Sequence, residues 1–454
     1  MIKRIRHIFA LALPIIGGMA SQTVMNIADT VLVGRLPDAS TALSAVGYGG
    51  FAAWAVAAFL VGIGSAVQTV AARRMGESRE RASGHALTMG LWLAIIVGVP
   101  MSCLGVIGAG AVFPWFIDDA AVVAAGAPYL GIRCGAWFLI MANFSFRGFF
   151  NGVGRPRVYF SVVWLVQLLN IVFSYLLIYG FAARVAGVEL FAIPALGVSG
   201  AGLGTVMATL CGTFMYGVIG RYYQRSHGAF FLPAAASQRR ELLATLVRLA
   251  VPAGLTGLIS SVGFLIFLII AGDGGPKVVA ATTLLVNLAS ACFLPAIGFG
   301  LAAATLVSNS LGAREPDEAF RWGLMTTGLA ALILGCVGLI FILFPEDVLS
   351  AFTHDQTIIQ LALPIMIILG AGQAMDSAGN AISHALIGAG AVRAVLLMNL
   401  IGMWLVFLPG AYVWGVLYDG GMIGLWIPLF VFRLGLALVA GIIFVRRRWI
   451  HIKV

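Results

Sequence analysis

The sequence predicts an all-α integral membrane protein, with twelve transmembrane helices forming two pseudo-twofold-related six-helix bundles around a central cavity. Three observations support this fold: the composition, the recurrence of long apolar segments, and an internal repeat. Of the 454 residues, 61% are apolar and 10% are charged. A soluble domain has about 45–50% apolar and about 25% charged residues. A water-soluble core has no room for this apolar excess, so lipid must be the solvent.

Twelve apolar segments are each long enough to cross a bilayer as a helix, which takes about 20 residues. A transmembrane β-barrel is not expected, because its strands are about ten residues long and alternate in polarity. The gaps between the segments are too short for a soluble domain. The predicted spans are residues 8–34, 42–72, 82–112, 120–146, 158–182, 194–220, 244–271, 278–308, 320–344, 357–387, 394–417 and 420–445.

Basic residues fall mainly on one side of these spans. Of the 27 Lys and Arg residues, 22 lie at the termini or in the loops that follow even-numbered spans. Three lie in the loops that follow odd-numbered spans. The positive-inside rule predicts a multi-pass protein of the cytoplasmic (inner) membrane with both termini in the cytoplasm. The same asymmetry accounts for the net charge of +10, so no nucleic-acid partner is expected. The N-terminus imitates a signal peptide, but its apolar run continues to Gly34, so we expect the first helix to be retained.

The chain repeats itself at a shift of 236 residues. The segment "GIGSAVQTVAARRMG" from Gly62 aligns without gaps with "GFGLAAATLVSNSLG" from Gly298, and "GVGRPR" from Gly152 aligns with "GAGAVR" from Gly388. Each copy holds an even number of spans, so both insert in the same orientation and are related by an axis along the membrane normal. The predicted units are an N-terminal bundle (1–220), a cytoplasmic linker (221–243) and a C-terminal bundle (244–454).

Only two of the seventeen acidic residues, Asp29 and Asp376, lie deep within predicted spans. A charged residue near the centre of a membrane helix costs about 2.5–3.5 kcal/mol on insertion scales, so such residues usually have a function. Gln22 and Asn26 share a helical face with Asp29, because the spacings are four and three residues. This polar face favours a cavity. The alternative is an anchor near the outer surface, solvated or paired with Arg35.

Asp376 has a similar polar face. Gln373 lies three residues before it, and Asn380 and His384 lie four and eight residues after it. This face either lines a cavity or forms an internal polar seam that holds the bundle together. His384 is available as a proton carrier, because imidazole titrates near neutral pH. A metal site is not expected, because no second His or Cys lies at ligand spacing.

Two basic residues, Arg133 and Arg433, also lie within predicted spans. Each needs a counter-charge or water, and the sequence leaves open a pairing with Asp29 or with Asp376. Such a pair would weaken the acid as a proton carrier, because the neighbouring positive charge favours the ionised carboxylate.

These motifs resemble the multidrug and toxic compound extrusion (MATE) transporters over the full length of the chain. The resemblance rests on "QTVMNIADTVLVGRL" in the first span, "GIGSAVQTVAARRMGE" in the second, "FRGFFNGVGRPR" after the fourth and "GQAMDSAGNAISHALIGAG" in the tenth. It implies export of small organic cations or amphipathic compounds in exchange for H⁺ or, alternatively, Na⁺. No cofactor is implied, and we expect a monomer that contacts only its substrates and membrane lipid.

The resemblance also implies roles for single residues. The first-helix acid of the family, which takes part in cation coupling, falls on Asp29, and its tenth-helix acid falls on Asp376. Its polar fifth-helix pair falls on Asn170 and Ser174; the second position is an acid in some members, so an Asp–Asp proton network is not expected here. The seventh-helix glutamate of some Na⁺-coupled members would fall on Ser260. The C-terminal cation site is therefore incomplete, which favours H⁺ coupling through Asp29.

We thus expect Asp29, Asp376 and Asn170 to take part in cation coupling. A lipid-linked saccharide or lipid flippase of the same superfamily is the alternative function, although such flippases commonly add helices or carry many cavity arginines, and this chain does neither. An enzyme is not expected, because no span carries a metalloprotease or nucleophile motif. The polar residues expected to line the substrate cavity are Gln22, Asn26, Ser174, Gln373, Asn380 and Ser260.

Overall fold

A computed structural model describes residues 1–185, 188–227, 236–452 and 454. The first half of the chain forms eight helices and one hairpin within these residues. They are α1 (Ile2–Val33), α2 (Ala39–Gly76), α3 (Glu80–Leu93), α4 (Val99–Val112), α5 (Ala120–Gly135), α6 (Trp137–Gly152), α7 (Pro156–Tyr179), β1 (Phe181–Val185), β2 (Val188–Ile193) and α8 (Gly197–His227).

The second half contributes eight more helices to the described part of the chain. They are α9 (Ala236–Gly272), α10 (Pro276–Gly312), α11 (Pro316–Leu343), α12 (Pro345–Ser350), α13 (Gln356–Gly388), α14 (Val392–Ile401), α15 (Leu408–Tyr412) and α16 (Gly421–Val445).

The twelve predicted spans are confirmed. Within the described residues, eleven helical segments are long and apolar enough to cross a membrane, and the pair α5 and α6, bent by 43°, supplies the twelfth. Several helices extend beyond the apolar run, because charged turns such as the start of α9 continue the helix outside the hydrocarbon. The chain is therefore a multi-pass membrane protein.

Two of the spans widen into π-helix near a proline. The third span does so at Ala94–Gly98, two residues before Pro100, and the eleventh at Gly402–Phe407, two residues before Pro409. Proline has no N–H to donate to the carbonyl four residues earlier and its ring crowds that carbonyl, so the helix must adjust locally.

The structure adds two details to the prediction. An antiparallel hairpin, with Phe181 opposite Ile193, connects the fifth and sixth spans, which the sequence analysis placed at residues 158–182 and 194–220 with no element between them. The predicted linker (221–243) is helical at both ends, since α8 continues to His227 and α9 begins at Ala236, and residues 228–235 lie outside the described residues. The bundle boundaries at residues 220 and 244 stay predictions.

Successive spans run in opposite directions, so the termini and the loops after even-numbered spans, which hold 22 of the 27 Lys and Arg residues, lie at one end of the helical bundle. We call this end the basic face. The two halves of the chain meet there through glycines of α2 and α10. A side chain at Gly76 would collide with the carbonyl oxygen of Asn309. In the second contact, a side chain at Gly312 would collide with the carbonyl oxygen of Arg73. The 236-residue shift converts one contact into the other, so the packing follows the pseudo-twofold axis of the repeat. The residues that mark the basic face are Arg4, Arg74, Arg155, Arg314 and Arg447.

Hydrogen bonds reinforce the same contact. The side-chain amide of Gln68 on α2 donates to the hydroxyl of Thr305 on α10 at 2.8 Å. The hydroxyl of Ser308 donates to the backbone carbonyl of Thr69 at 2.7 Å. All four residues lie in the halves of α2 and α10 nearest the basic face, so the structure represents a conformation that is closed at this face.

We predict that Gly312→Leu destabilises this conformation, because the new side chain meets the backbone of α2 in a packed site. Overpacking of this kind costs about 1–3 kcal/mol. The matched control is Gly328→Leu on α11, where a side chain would meet nothing within 4 Å. The melting temperature of the purified protein in detergent should fall by several degrees for Gly312→Leu and stay at the wild-type value for Gly328→Leu. Equal melting temperatures for the two variants would contradict the contact.

Candidate functional site

The polar face predicted on α1 lies against α7. Gln22 donates to the Asn26 side-chain oxygen at 3.3 Å and accepts a hydrogen bond from Gln167 of α7 at 3.1 Å. Gln167 is buried, whereas Gln22 and Asn26 are exposed. The far end of the same helix pair is fixed by the Tyr179 hydroxyl, which donates to the carbonyl of Leu32 at 2.6 Å. The polar face of α1 is therefore attached to α7 and is also accessible from outside the helix packing.

Asp29 lies on α1 between these two attachments and is half-buried. The hydroxyl of Ser174 on α7 faces its carboxylate, and Arg133 on α5 acts on it through the electrostatic field. Neither the Asp29 Oδ1 atom nor the Ser174 Oγ atom has a hydrogen-bond partner of ordinary geometry among the described residues. In the same part of the chain, no ion pair joins Asp29 to Arg133 or to Arg35. The carboxylate is thus placed among polar groups without being neutralised by a direct partner.

Asn170 lies one turn before Ser174 on α7 and is fully buried. Its side-chain N–H donates to the hydroxyl of Thr205 on α8 at 3.0 Å, and that hydroxyl donates to the carbonyl of Ala201 at 3.1 Å. The Asn170 Oδ1 atom has no partner within the described residues. Three helices therefore meet around these polar groups. We call the set the N-terminal polar cluster: Gln22, Asn26, Asp29, Gln167, Asn170, Ser174 and Thr205.

Gln167 and the threonines of α8 were not predicted from the sequence. Gln167 precedes Asn170 by three residues, so helical spacing already placed the two on one face of α7. Thr205, Thr209 and Thr213 recur every four residues, and each bonds the carbonyl one turn earlier. This period was the available signal, but an isolated threonine in an apolar helix also satisfies its hydroxyl in this way, so the pattern alone did not mark a site.

The second deep acid has a direct ionic partner. Arg433 of α16 donates from Nη1 to the Asp376 Oδ1 atom of α13 at 3.0 Å, and each side chain is 22% exposed. The guanidinium carbon of Arg433 lies 5.3 Å from the ring centre of Phe293, 5.9 Å from that of Phe432 and 6.0 Å from that of Phe264. Of the pairings that the sequence left open, Arg433 with Asp376 is the one that forms.

The other predicted residues of the C-terminal half surround this pair less directly. Gln373 and Asn380 are buried on the same helix as Asp376. His384 is hydrogen-bonded through Nδ1 to the Asn380 backbone carbonyl at 3.0 Å, and its ring packs against Gly300, so its nearest partners belong to the helix packing. Ser260 lies half-buried on α9, one turn before Phe264, whose ring contacts Arg433.

The two sites offer different chemistry. A half-buried carboxylate oxygen with no direct partner, beside a hydroxyl oxygen, can take up a proton or a small cation that prefers oxygen ligands. An ion pair beside three aromatic rings carries no net charge, and it is the faces of those rings that attract flat or organic cations. Among the described residues, no three His, Cys, Asp or Glu side chains are grouped as a metal site would require.

We predict that Thr205→Val destabilises the protein, because it leaves the buried Asn170 amide without its partner. The cost of an unpaired buried polar group is about 1–3 kcal/mol. Thr256→Val is the matched control, because the hydroxyl of Thr256 on α9 bonds the carbonyl of Pro252 one turn earlier at 2.9 Å. Thermal melting in detergent should show a clear loss for Thr205→Val and little for Thr256→Val.

The loss should disappear when Thr205→Val is made in an Asn170→Ala background, since the amide that needs the hydroxyl is then gone. A loss of the same size in both backgrounds would mean that the threonine acts on something other than Asn170.

Comparison with known proteins finds a matching family and related sequences. The sequence profile of the MatE family matches residues 14–176 and 252–413, one match in each copy of the repeat. A probable multidrug resistance protein NorM of Aromatoleum aromaticum is 27% identical over 413 residues, which cover 89% of this chain and 85% of the relative. The probable NorM protein of Thermotoga maritima is also 27% identical, over 432 residues that cover 93% and 88% of the two chains.

Solved structures match the fold over nearly the whole length. An outward-facing multidrug resistance MATE family transporter of the MOP superfamily superposes with a TM-score of 0.84 at 22% identity, over 97% of this chain and 95% of the other. A MOP superfamily transporter from Pyrococcus furiosus, reported to have a binding pocket of reversed polarity, superposes with a TM-score of 0.85 at 21% identity, over 98% and 96%. These likenesses confirm the predicted two-bundle fold.

Proposed function

The chain belongs to the MATE family of membrane transporters, and we propose that it is a multidrug efflux antiporter that exports organic cations or amphipathic compounds in exchange for H⁺. It is a transporter and not an enzyme. The relatives named above are probable multidrug resistance proteins, which favours drug export over the flippase alternative of the same superfamily.

One observation carries the choice of coupling site. Of the two deep carboxylates, Asp376 is neutralised by Arg433 at 3.0 Å, whereas Asp29 has no direct ionic partner among the described residues. A coupling residue must gain and lose a cation during each cycle, and an acid that is already paired has less to gain from one. This contrast supports Asp29 as the residue that binds the proton.

The position of Asp29 connects proton binding to helix packing. Its helix is attached to α7 on both sides of the acid, through Gln22 with Gln167 and through Tyr179. Protonation removes a charge from this interface, so α1 can pack more closely against α7. A proton shifts the balance between two conformations only by as much as its affinity differs between them, and a carboxylate at a moving helix interface provides such a difference.

Na⁺ is the alternative coupling ion. The Asp29 and Ser174 oxygens that lack hydrogen-bond partners among the described residues are the type of ligand that hard cations prefer. At the C-terminal site, the absence of an acid at Ser260 and the pairing of Asp376 argue against Na⁺. We therefore place the coupling ion, whether H⁺ or Na⁺, in the N-terminal polar cluster.

The orientation is inferred from the charge distribution. We propose that the basic face lies in the cytoplasm, so that both termini are cytoplasmic and the protein resides in the inner membrane. A conformation closed at the basic face is then closed to the cytoplasm. Each chain contains both bundles, so we propose a monomer whose partners are its substrates and the surrounding lipid.

We predict that Asp29→Asn abolishes proton-driven drug export. In vesicles of the same orientation, an imposed pH gradient should drive uphill ethidium transport by the wild type, and Asp29→Asn should lower the rate at least about tenfold because the amide cannot exchange a proton. Asp376→Asn changes the acid that Arg433 already neutralises and should lower the rate less than Asp29→Asn does. A gradient of Na⁺ alone should drive no export by the wild type.

Two results would refute this assignment. One is uphill export by Asp29→Asn at the wild-type rate under a pH gradient. The other is export energised by Na⁺ alone and lost in Asp376→Asn, which would move coupling to the C-terminal half. Unchanged sensitivity to ethidium and fluoroquinolones in cells that carry the protein in their membrane would refute drug export itself.

The orientation has its own test by labelling of single cysteines with a membrane-impermeant reagent in intact cells. Cysteines at Arg79 and Arg240 should be protected because they face the cytoplasm. Cysteines at Asp118 and Glu346 should react, because the periplasmic or outer side exposes them. An externally reactive residue 240 would overturn the arrangement in two parallel halves.

A further inference from the structure

The surroundings of Arg433 have the chemistry of a cation-binding site. A carboxylate (Asp376) and three aromatic rings converge on one point from α9, α10, α13 and α16. Aromatic faces attract cations through their quadrupole, and organic cations are commonly bound by several rings acting together. The rings offer no oxygen ligands, so the site suits an organic cation better than a metal ion.

The occupant of this site is a side chain of the protein itself. The Arg433 guanidinium is flat, positively charged and enclosed by Phe264, Phe293 and Phe432, as an organic cation would be. It belongs to α16, which also supplies Phe432, whereas Asp376 and the other two rings come from three other helices. Four helices therefore form the site, and one of them, α16, supplies the side chain that occupies it.

The ion pair of Arg433 with Asp376 is weaker than the strongest pair that an arginine can form with a carboxylate. Guanidinium and carboxylate groups often bond through two parallel hydrogen bonds, which is the strong arrangement. Here a single bond, from Nη1 to Oδ1, joins the pair in the described residues. Both side chains are 22% exposed, so the guanidinium can leave the carboxylate without first opening a sealed core.

We infer that Arg433 is a tethered ligand of an organic-cation site, and that a substrate cation displaces it to bind Asp376 and the three phenylalanines. The exchange replaces one positive charge by another, so the site keeps its neutrality while the guanidinium moves to the exposed side of the pair. This inference rests on the proposed function and names the part of the cavity that recognises the cationic group of the substrate.

The alternative is that the ion pair only holds α13 and α16 together. The two alternatives predict opposite effects of removing the guanidinium. A structural pair, once broken, leaves the affinity for organic cations unchanged or lower. A tethered ligand, once removed, leaves a free carboxylate among three rings, and the affinity rises because substrate no longer competes with Arg433.

The test is equilibrium binding of tetraphenylphosphonium to the purified full-length protein in lipid nanodiscs. Arg433→Leu should lower the dissociation constant roughly tenfold, the scale of one aromatic–cation contact combined with a released carboxylate. Arg433→Lys is the matched control, because it keeps a tethered cation, and its dissociation constant should stay close to that of the wild type. Combining Arg433→Leu with Asp376→Leu should remove the gain, since the carboxylate is then absent.

A second variant keeps the test decisive if Arg433→Leu does not fold. Arg433→Gln can still hydrogen-bond to Asp376 but has no charge, and it should also bind the probe more tightly than the wild type. Unchanged or weaker binding by a folded Leu or Gln variant, with a melting curve as sharp as that of the wild type, overturns the inference.

Binding is measured without transport, so the two proposals fail separately. Tighter binding by the variants together with no ethidium export by the wild type would support the proposal that Arg433 is a tethered ligand and refute drug efflux. Normal export by the wild type together with unchanged binding by the variants would support drug efflux and refute the tethered ligand.

Discussion

A hydrocarbon solvent gives a buried polar group no partner, and this constraint determines the structure at every level. It requires the backbone to be satisfied within helices, which accounts for the twelve spans. It also requires each charge inside a span to find a partner, reach water or be retained for a function. Asp376 meets the requirement with Arg433, whereas Asp29 is left among hydroxyl and amide groups. The two acids are thus chemically distinct although both lie deep in the protein.

The repeat divides the molecule into features that are duplicated and features that are not. The glycine contacts of α2 with α10 obey the twofold relation residue by residue. The two helix backbones approach each other at equivalent points of the two copies, and only small residues leave room for that approach. The polar sites do not obey it: the N-terminal cluster is built on α1, α7 and α8, and the C-terminal ion pair on α13 and α16. The packing that lets the halves meet is symmetric, and the chemistry that distinguishes them is carried by single residues.

Local sequence patterns predicted the helices but not the contacts between distant ones. Span positions are set by apolar runs, and the face of Gln22, Asn26 and Asp29 by helical spacing, and both are properties of one segment. The partner of Arg433 depends on how α13 and α16 pack, and the sequence left Asp29 and Asp376 equally available. The hairpin after Gly180 was missed because most of it lies between two predicted spans, where the apolar pattern gives no information. The threonines of α8 were missed because back-bonding threonines also occur where no site exists.

The closed face at Gly76 and Gly312 has a consequence for the ease of opening. Glycine has no side chain, so closing the face immobilises no rotamers there, and opening it regains no side-chain entropy at these positions. The halves also meet there through neutral hydrogen bonds such as Gln68 to Thr305 and Ser308 to Thr69, each exchangeable for a bond to water at a net cost of about 0.5–1.5 kcal/mol. Two charged contacts add to these bonds: Arg73 donates to the carbonyl of Ala389 at 3.3 Å, and Arg4 pairs with Glu318 at 2.9 Å. Reversing a two-state population from about 1:99 to 99:1 takes about 5.5 kcal/mol of differential binding. The bare backbone and the neutral hydrogen bonds are therefore the part of this contact that one or two bound ions or substrates can open, and the charged contacts of Arg4 and Arg73 add to the free energy that those ligands must supply.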